Sequence, residues 1–325
     1  MSTHPTSEQE TPSDTARLYR SLKLIRRAEE RIAEIYPSDV IKSPVHLAIG
    51  QEAISVGVCD NLRQEDVVGC TYRSHAAYLA KGGSLNQMMA EMYGKSAGCA
   101  AGKGGSMHLV SPEVNVLGAS AVVGTGIPIA TGYALALKKQ GTDNVVACFM
   151  GDGATEEGAF SESLNFAALH NFPILYVVEN NGYAIHEPVE KRQAKPDALC
   201  ARVATYGIET NRIEDQDIFR ISKISGAMIQ RLRGGGGPAF LECMTYRWRE
   251  HVGPNEDYDA GYRNESEVEG WKRNDQVALL AGQIPNDLVA SINADVEAAI
   301  DAAIAFAESS PAPNTNELYS NVYAD

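Results

Sequence analysis

Long apolar runs are missing from this chain: no stretch approaches the ~20 apolar residues that a helix needs to cross a bilayer. A helical membrane span is therefore not expected. Basic residues are also scarce, with 28 Lys and Arg against 42 Asp and Glu, a formal net charge of −14 and a pI near 5.0. Lacking a basic stripe to displace counterions, the chain does not read as a nucleic-acid binder. Cysteine is sparse and scattered; none of Cys59, Cys70, Cys99, Cys148, Cys200 and Cys243 has a C-x-x-C neighbour. Such thiols behave as small hydrophobes in a reducing compartment, and a cytoplasmic location is expected. Residues 1–15, rich in Ser, Thr, Pro and Glu, lack the apolar centre of a secretion signal and read as a disordered tail. No internal repeat is visible. What remains is ample for a core: 44% of 325 residues are hydrophobic and 22% charged, normal for one large α/β domain over 16–325.

Two polar clusters stand out against this background. Gly151-Asp152-Gly153 directly follows the apolar run Val145-Val146-Ala147-Cys148-Phe149-Met150, and Asn180-Asn181-Gly182 closely follows Ile174-Leu175-Tyr176-Val177-Val178. Runs of this kind read as buried parallel strands. Between them, residues 156–169 place Phe160, Leu164, Ala167 and Ala168 at helical spacing, which makes a βαβ unit. Both clusters then fall at the carboxyl ends of neighbouring strands, where open α/β sheets bind ligands. Asp152 offers an anionic oxygen, Asn181 a neutral one, and the glycines let a backbone come close. Two such oxygens with open positions suit Mg²⁺, which keeps water and phosphate oxygens in its octahedron. A helix beginning after Gly153 would turn its free N–H groups to that phosphate. The simpler reading has Asp152 capping a helix and Asn180-Asn181 making a turn. Two strand-end clusters joined by one helix favour the magnesium diphosphate site.

Further segments extend the pattern: Val45-His46-Leu47 with Gly50-Gln51-Glu52-Ala53, Tyr72-Arg73-Ser74-His75, Gly102-Lys103-Gly104-Gly105-Ser106-Met107-His108, Val122-Val123-Gly124 and Thr245-Tyr246-Arg247. Together with the paired clusters they resemble the thiamine-diphosphate signature and, from about Leu22 to Tyr262, the alpha subunit of the decarboxylating component of 2-oxo acid dehydrogenases. That family includes pyruvate, branched-chain and acetoin enzymes. The resemblance implies an α/β, parallel-sheet, thiamine-diphosphate-binding fold with helices on both faces and a C-terminal helical extension.

The resemblance also implies roles for residues. Asp152 and Asn181 become side-chain ligands of the metal and the Tyr183 carbonyl a third, while Gly153 and Ala154 meet the diphosphate through their backbone. Tyr72 and Arg73 reach the same diphosphate, for which a guanidinium is a natural fork. Val123 is a backbone contact to the aminopyrimidine ring, and His46 and His251 line the active-site entrance. On residue type alone other readings stand: Arg73 as a surface charge, Tyr72 as half-buried core, His46 as a core histidine. The run ending in His108 reads first as glycine-rich loop architecture with Lys103 in water, and second as an active-site wall.

This chain departs from the family at Ala121, where glycine is usual, and at Arg249-Glu250, which changes charge and size where the pyruvate enzymes carry a second histidine and a serine nearby. The implied activity is decarboxylation of a 2-oxo acid, or cleavage of acetoin, with acyl transfer to lipoamide on an acyltransferase core. A glutamate that activates the aminopyrimidine is missing here and belongs to a beta subunit in two-chain members, so an α2β2 assembly is expected. An acyloin-forming carboligase and a non-catalytic scaffold subunit are the alternatives.

Elsewhere, residues 15–35 carry an amphipathic helical pattern, with Arg26, Arg27 and Arg31 interleaved with Glu29 and Glu30 as a solvated face. Residues 124–139 read as a helix with small residues on one side, serving internal packing or, by the resemblance, a subunit contact. Residues 239–246 read as a buried strand, 252–275 as a mobile loop and about 286–308 as a C-terminal amphipathic helix packed on the sheet or on a partner.

Overall fold

The computed structural model describes residues 12–320. Its strands are β1 (Val67–Gly69), β2 (Val146–Gly151), β3 (Ile174–Asn180), β4 (Tyr183–Ala184), β5 (Glu187–Pro188), β6 (Glu209–Ile213) and β7 (Ala239–Met244). Five of them form an entirely parallel sheet in the order β1-β2-β3-β7-β6, while β4 and β5 make a small antiparallel hairpin. The helices are α1 (Pro12–Ile35), α2 (Glu52–Cys59), α3 (His75–Ala80), α4 (Leu85–Met92), α5 (Gly126–Gln140), α6 (Gly158–His170), α7 (Val189–Arg192), α8 (Leu199–Ala204), α9 (Ile218–Arg233), α10 (Glu265–Lys272), α11 (Gln276–Ala281) and α12 (Asn286–Ser309). None is long and apolar enough to cross a membrane.

The strands alternate their side chains between two cores, which is why β2 and β3 are apolar throughout. Val146, Cys148, Met150, Ile174, Tyr176 and Val178 pack with Ala130 and Ala134 of α5 and Phe160 and Leu164 of α6. Ala147, Phe149, Leu175 and Val177 face the opposite way, into a larger cluster supplied by α1, α2, α4, α9 and α12. Burial on both faces fixes the register, with Val146 opposite Ile174 and Gly151 opposite Glu179. The carboxyl ends of β2 and β3 therefore lie side by side.

Several expectations need correcting. A 3-10 turn, Asp152–Glu156, stands between β2 and α6, so the regular helix starts at Gly158 rather than at 156, and the backbone beside Gly153 belongs to that turn. Helix α1 begins at Pro12, so its first turn takes up residues 12–15 of the expected tail; the remainder lies outside the described residues. The face carrying Arg26, Arg27, Glu29 and Arg31 is not simply solvated. Arg26 and Glu29 are buried, Arg26 pairs with Glu52 and Asp275, and Arg27 and Arg31 pair with Glu297 on α12. Helix α12 lays Ile292, Val296 and Ile300 on α1 and α4 instead of on the sheet and brings Glu297 to Arg27 and Arg31, while Arg26 and Glu29 are taken up by Glu52, Asp275, the Ala48 amide and His75. In α5, Ala130 and Ala134 pack inward while Ile129, Gly132 and Tyr133 remain exposed.

Residues 252–275 contain a 3-10 turn and α10, which starts with a capping box at Asn264 and Glu267. Asp257 anchors this segment from within: it accepts from Arg247 Nη1 at 3.1 Å and Arg263 Nε at 2.7 Å, and also binds the Tyr262 hydroxyl.

Candidate functional site

A cavity of about 280 Å³ opens at the carboxyl ends of β2 and β3. Its walls include Tyr72, Arg73, Val123, Asp152, Gly153, Ala154, Asn181, Tyr183 and His251, so nine of the residues singled out from the sequence meet in one place. His46 does not line it but stands directly behind, its ring 4.5 Å from Tyr72 and 5.1 Å from His251 between centroids. His108 lies apart, exposed, with Nδ1 3.0 Å from the Ala119 carbonyl.

Each polar group is held by a local device. Asp152 opens the 3-10 turn, and Thr155 Oγ1 donates to its carbonyl at 2.7 Å. Asn180 is the turn-maker of its pair: its Oδ1 accepts from Gly182 N at 3.1 Å and its Nδ2 donates to buried Glu242. That frees Asn181 for the cavity, where its Oδ1 accepts from Tyr183 N at 3.1 Å and its Nδ2 donates to Gln51 Oε1 at 3.0 Å. An amide oxygen has two lone pairs, so Asn181 keeps one for a ligand. Among the described residues no group of three or more His, Cys, Asp or Glu gathers. The oxygen donors on this wall are instead the Asp152 carboxylate and the Asn181 amide, hard ligands whose chemistry fits a cation such as Mg²⁺.

Arg73 is buried, donating through Nη1 to the Leu47 carbonyl (2.5 Å) and through Nη2 to the His251 carbonyl (3.2 Å). Burial, reinforced by the like charge of Arg247, lowers its pKa to about 10, which leaves it charged at neutral pH. The same burial, with Arg73 close by, lowers both His46 and His251 to about 3. Both imidazoles are consequently neutral near pH 7. Glu179 at the end of β3 moves the other way, up to about 7, because burial outweighs the attraction of Arg73.

Some members of the site carry little signal in the sequence. Gln51 belongs to the segment 50–53 but has no assigned role until Asn181 folds against it. Glu156, Glu179 and Ile185 also line the cavity. Ile185 has φ 58, a left-handed backbone that a β-branched residue rarely adopts, and Arg247 Nη2 donates to its carbonyl at 3.0 Å. By contrast, Arg249 and Glu250 do not line the cavity. Glu250 Oε1 accepts from Asn255 N at 2.8 Å, and the Arg249 carbonyl takes the guanidinium groups of Arg247 and Arg263. The Glu250 carboxylate and the Arg249 carbonyl thus serve the fold of their own loop, while the Arg249 guanidinium stays partly exposed, 4.0 Å from Glu256.

The glycine-rich run 98–105 is architecture. The carboxylate of buried Glu91 accepts from the amides of Ala100, Gly102, Gly104 and Gly105 at 2.7–3.0 Å, and the run folds around it.

Comparison with known proteins follows the same lines. Residues 20–316 match the family described as "Dehydrogenase E1 component". The chain is 38% identical over 311 residues to the alpha subunit of acetoin:2,6-dichlorophenolindophenol oxidoreductase of Bacillus subtilis, covering 94% of this chain and 92% of that protein. It is 36% identical over 321 residues to the pyruvate dehydrogenase E1 component subunit alpha of Porphyra purpurea, covering 95% and 92%. A similar protein from Rhizobium meliloti, also a pyruvate dehydrogenase E1 component subunit alpha, is 35% identical over 316 residues, covering 95% and 90%.

Proposed function

From the premise that this chain belongs to the dehydrogenase E1 component family, we propose that it is the alpha subunit of a two-chain thiamine-diphosphate-dependent enzyme. It decarboxylates a 2-oxo acid, or cleaves acetoin, and passes the acyl unit to lipoamide. The observation that carries this reading is the convergence of Asp152, Asn181 and Tyr183 at one cavity formed by the ends of two adjacent strands.

In this reading Mg²⁺ is held by Asp152, Asn181 and the Tyr183 carbonyl, while Gly153, Ala154, Tyr72 and Arg73 take the diphosphate. An added Cβ on Gly153 would lie 2.8 Å from Ala184 Cβ, so this backbone has to stay bare. When bound, the coenzyme supplies the nucleophile and the electron sink for breaking a bond next to a carbonyl. The chain's own contribution is to orient and to exclude water. Arg73 fixes the backbone of both histidine segments, and neutral His46 and His251 offer polar edges without a competing positive charge. A beta subunit completes the site in an α2β2 assembly, with a lipoyl acyltransferase core as the onward partner. The scattered free thiols favour a cytoplasmic setting.

The test is calorimetry on the chain assembled with its beta partner. Thiamine diphosphate is expected to bind only with Mg²⁺, and Asp152→Ala is expected to abolish both binding and lipoamide acylation. Magnesium-independent uptake, or full activity in Asp152→Ala, overturns the proposal.

A further inference from the structure

One guanidinium not among the residues assigned above reaches the metal-ligand turn. Arg192, the last residue of the four-residue helix α7, binds Asp152 Oδ2 through Nη2 and Glu156 through Nη1, and its Nε donates to the Glu187 carbonyl at 3.0 Å. Its side chain is only 10% exposed. Gln193 adds a second tie, Nε2 to Glu156 Oε1 at 3.0 Å. The segment anchored this way is the strap 182–193, made of β4, β5 and α7 and closed on itself by Val189 N donating to the Gly182 carbonyl at 2.9 Å. Tyr183 and Ile185, both on the cavity wall, lie on this strap.

From this geometry we infer that Arg192 is a positioning residue for the divalent-cation site: its fork fixes the orientation of the Asp152 carboxylate and clamps the Tyr183-bearing strap to it. The inference rests on the proposed metal site. Charge balance decides between positioning and competition. A guanidinium on Asp152 alone would cancel the charge that attracts a cation. Here Glu156 shares it, and the trio keeps one net negative charge for the metal. One fork thus aligns Asp152 Oδ2 while leaving Oδ1 for the ion, an outer-shell arrangement of the kind whose loss costs about 10–100-fold in metal affinity. The planar guanidinium matters as well as its charge, since an ammonium cannot span two carboxylates and a carbonyl with fixed geometry.

The experiment titrates Mn²⁺, read by its electron paramagnetic resonance signal, into the assembly with its beta partner for wild type, R192Q, R192K and E156Q, with thiamine diphosphate present. Hydrogen exchange of residues 182–193 is followed in parallel on metal-free protein. R192Q is expected to weaken Mn²⁺ binding by about 10-fold or more and to speed strap exchange even without metal, with R192K recovering only part of both. E156Q is expected to weaken binding too, because the guanidinium then neutralises Asp152. Mn²⁺ binding in R192Q as tight as in wild type, or tighter, overturns the inference, as does unchanged strap exchange. If wild type itself takes up no Mn²⁺, it is the proposed cofactor site that falls. Thermal midpoints of each variant separate misfolding from loss of positioning.

Discussion

At the scale of single residues, the site is defined by groups whose ionisation is decided by burial. His46 and His251 rest near 3 against an ordinary value of 6.5, with burial as the larger cause and Arg73 as the next. Between those two values the unfolded chain holds protons that the folded chain refuses. The stability tied to these histidines is therefore complete above about pH 6.5 and is lost as the pH falls toward 3. We expect the melting temperature of wild type to drop from pH 7 to pH 5 more steeply than that of the His46→Gln/His251→Gln variant. Equal slopes, measured by calorimetry, would place the acid sensitivity elsewhere. The buried His46 Nδ1 behind the cavity, which has no hydrogen-bond partner among the described residues, and the left-handed Ile185 on its wall are places where folding leaves groups unsatisfied or strained.

At the scale of elements, the cavity depends on close approach between the segment around Gly50 and the one after β7. Gly50 has φ 96, and a Cβ there would meet the Tyr246 carbonyl oxygen at 2.6 Å. Trp248 N donates to the Ile49 carbonyl at 3.0 Å, and Arg26 lies 4.2 Å over the Trp248 ring. Gly50→Ala should therefore cost about 1–3 kcal/mol from overpacking, with backbone strain added. Because Gln51 adjoins it and holds Asn181, metal affinity should fall along with the urea midpoint; an unchanged midpoint would refute the close-approach argument. What the sequence made legible follows from this division of labour. Strands β2 and β3 announce themselves because both faces are apolar, and Asp152 and Asn181 are readable because each sits where such a run stops. Arg192 has no such local mark, since its partners are remote in the chain and a lone Arg in a polar stretch looks solvated; Gln51 sits in a marked segment, but its partner Asn181 is equally remote. Likewise Arg26 and Glu29 follow the rule for an exposed helix face, and only the arrival of Glu52, Asp275 and His75 from remote parts of the chain takes them up. Glu250 looks like a substrate determinant by position, yet its carboxylate closes a loop.

At the scale of the molecule, the surface is uneven. Large apolar side chains stay exposed on adjacent helices: Ile129 (51%) and Tyr133 (45%) on α5, Phe166 (41%) and Leu169 (73%) on α6, with Val122 (64%) at the cavity rim. Scattered exposed aliphatics are ordinary, but five large apolar side chains on two packed helices and the cavity rim suit a subunit contact. The inward faces of the same helices are already filled by Ala130, Ala134, Phe160 and Leu164, so the outward ones add little to the fold of the chain itself. A charge placed there should separate assembly from folding. Ile129→Asp/Tyr133→Asp is expected to keep the thermal midpoint of the isolated chain while weakening association with the partner subunit by about 2 kcal/mol or more, the scale of central interface residues. Light scattering on the co-purified chains reads the outcome. An assembly of undiminished size and affinity would mean that the partner docks elsewhere, and a collapse of the isolated chain's midpoint would mean that this face is part of the core.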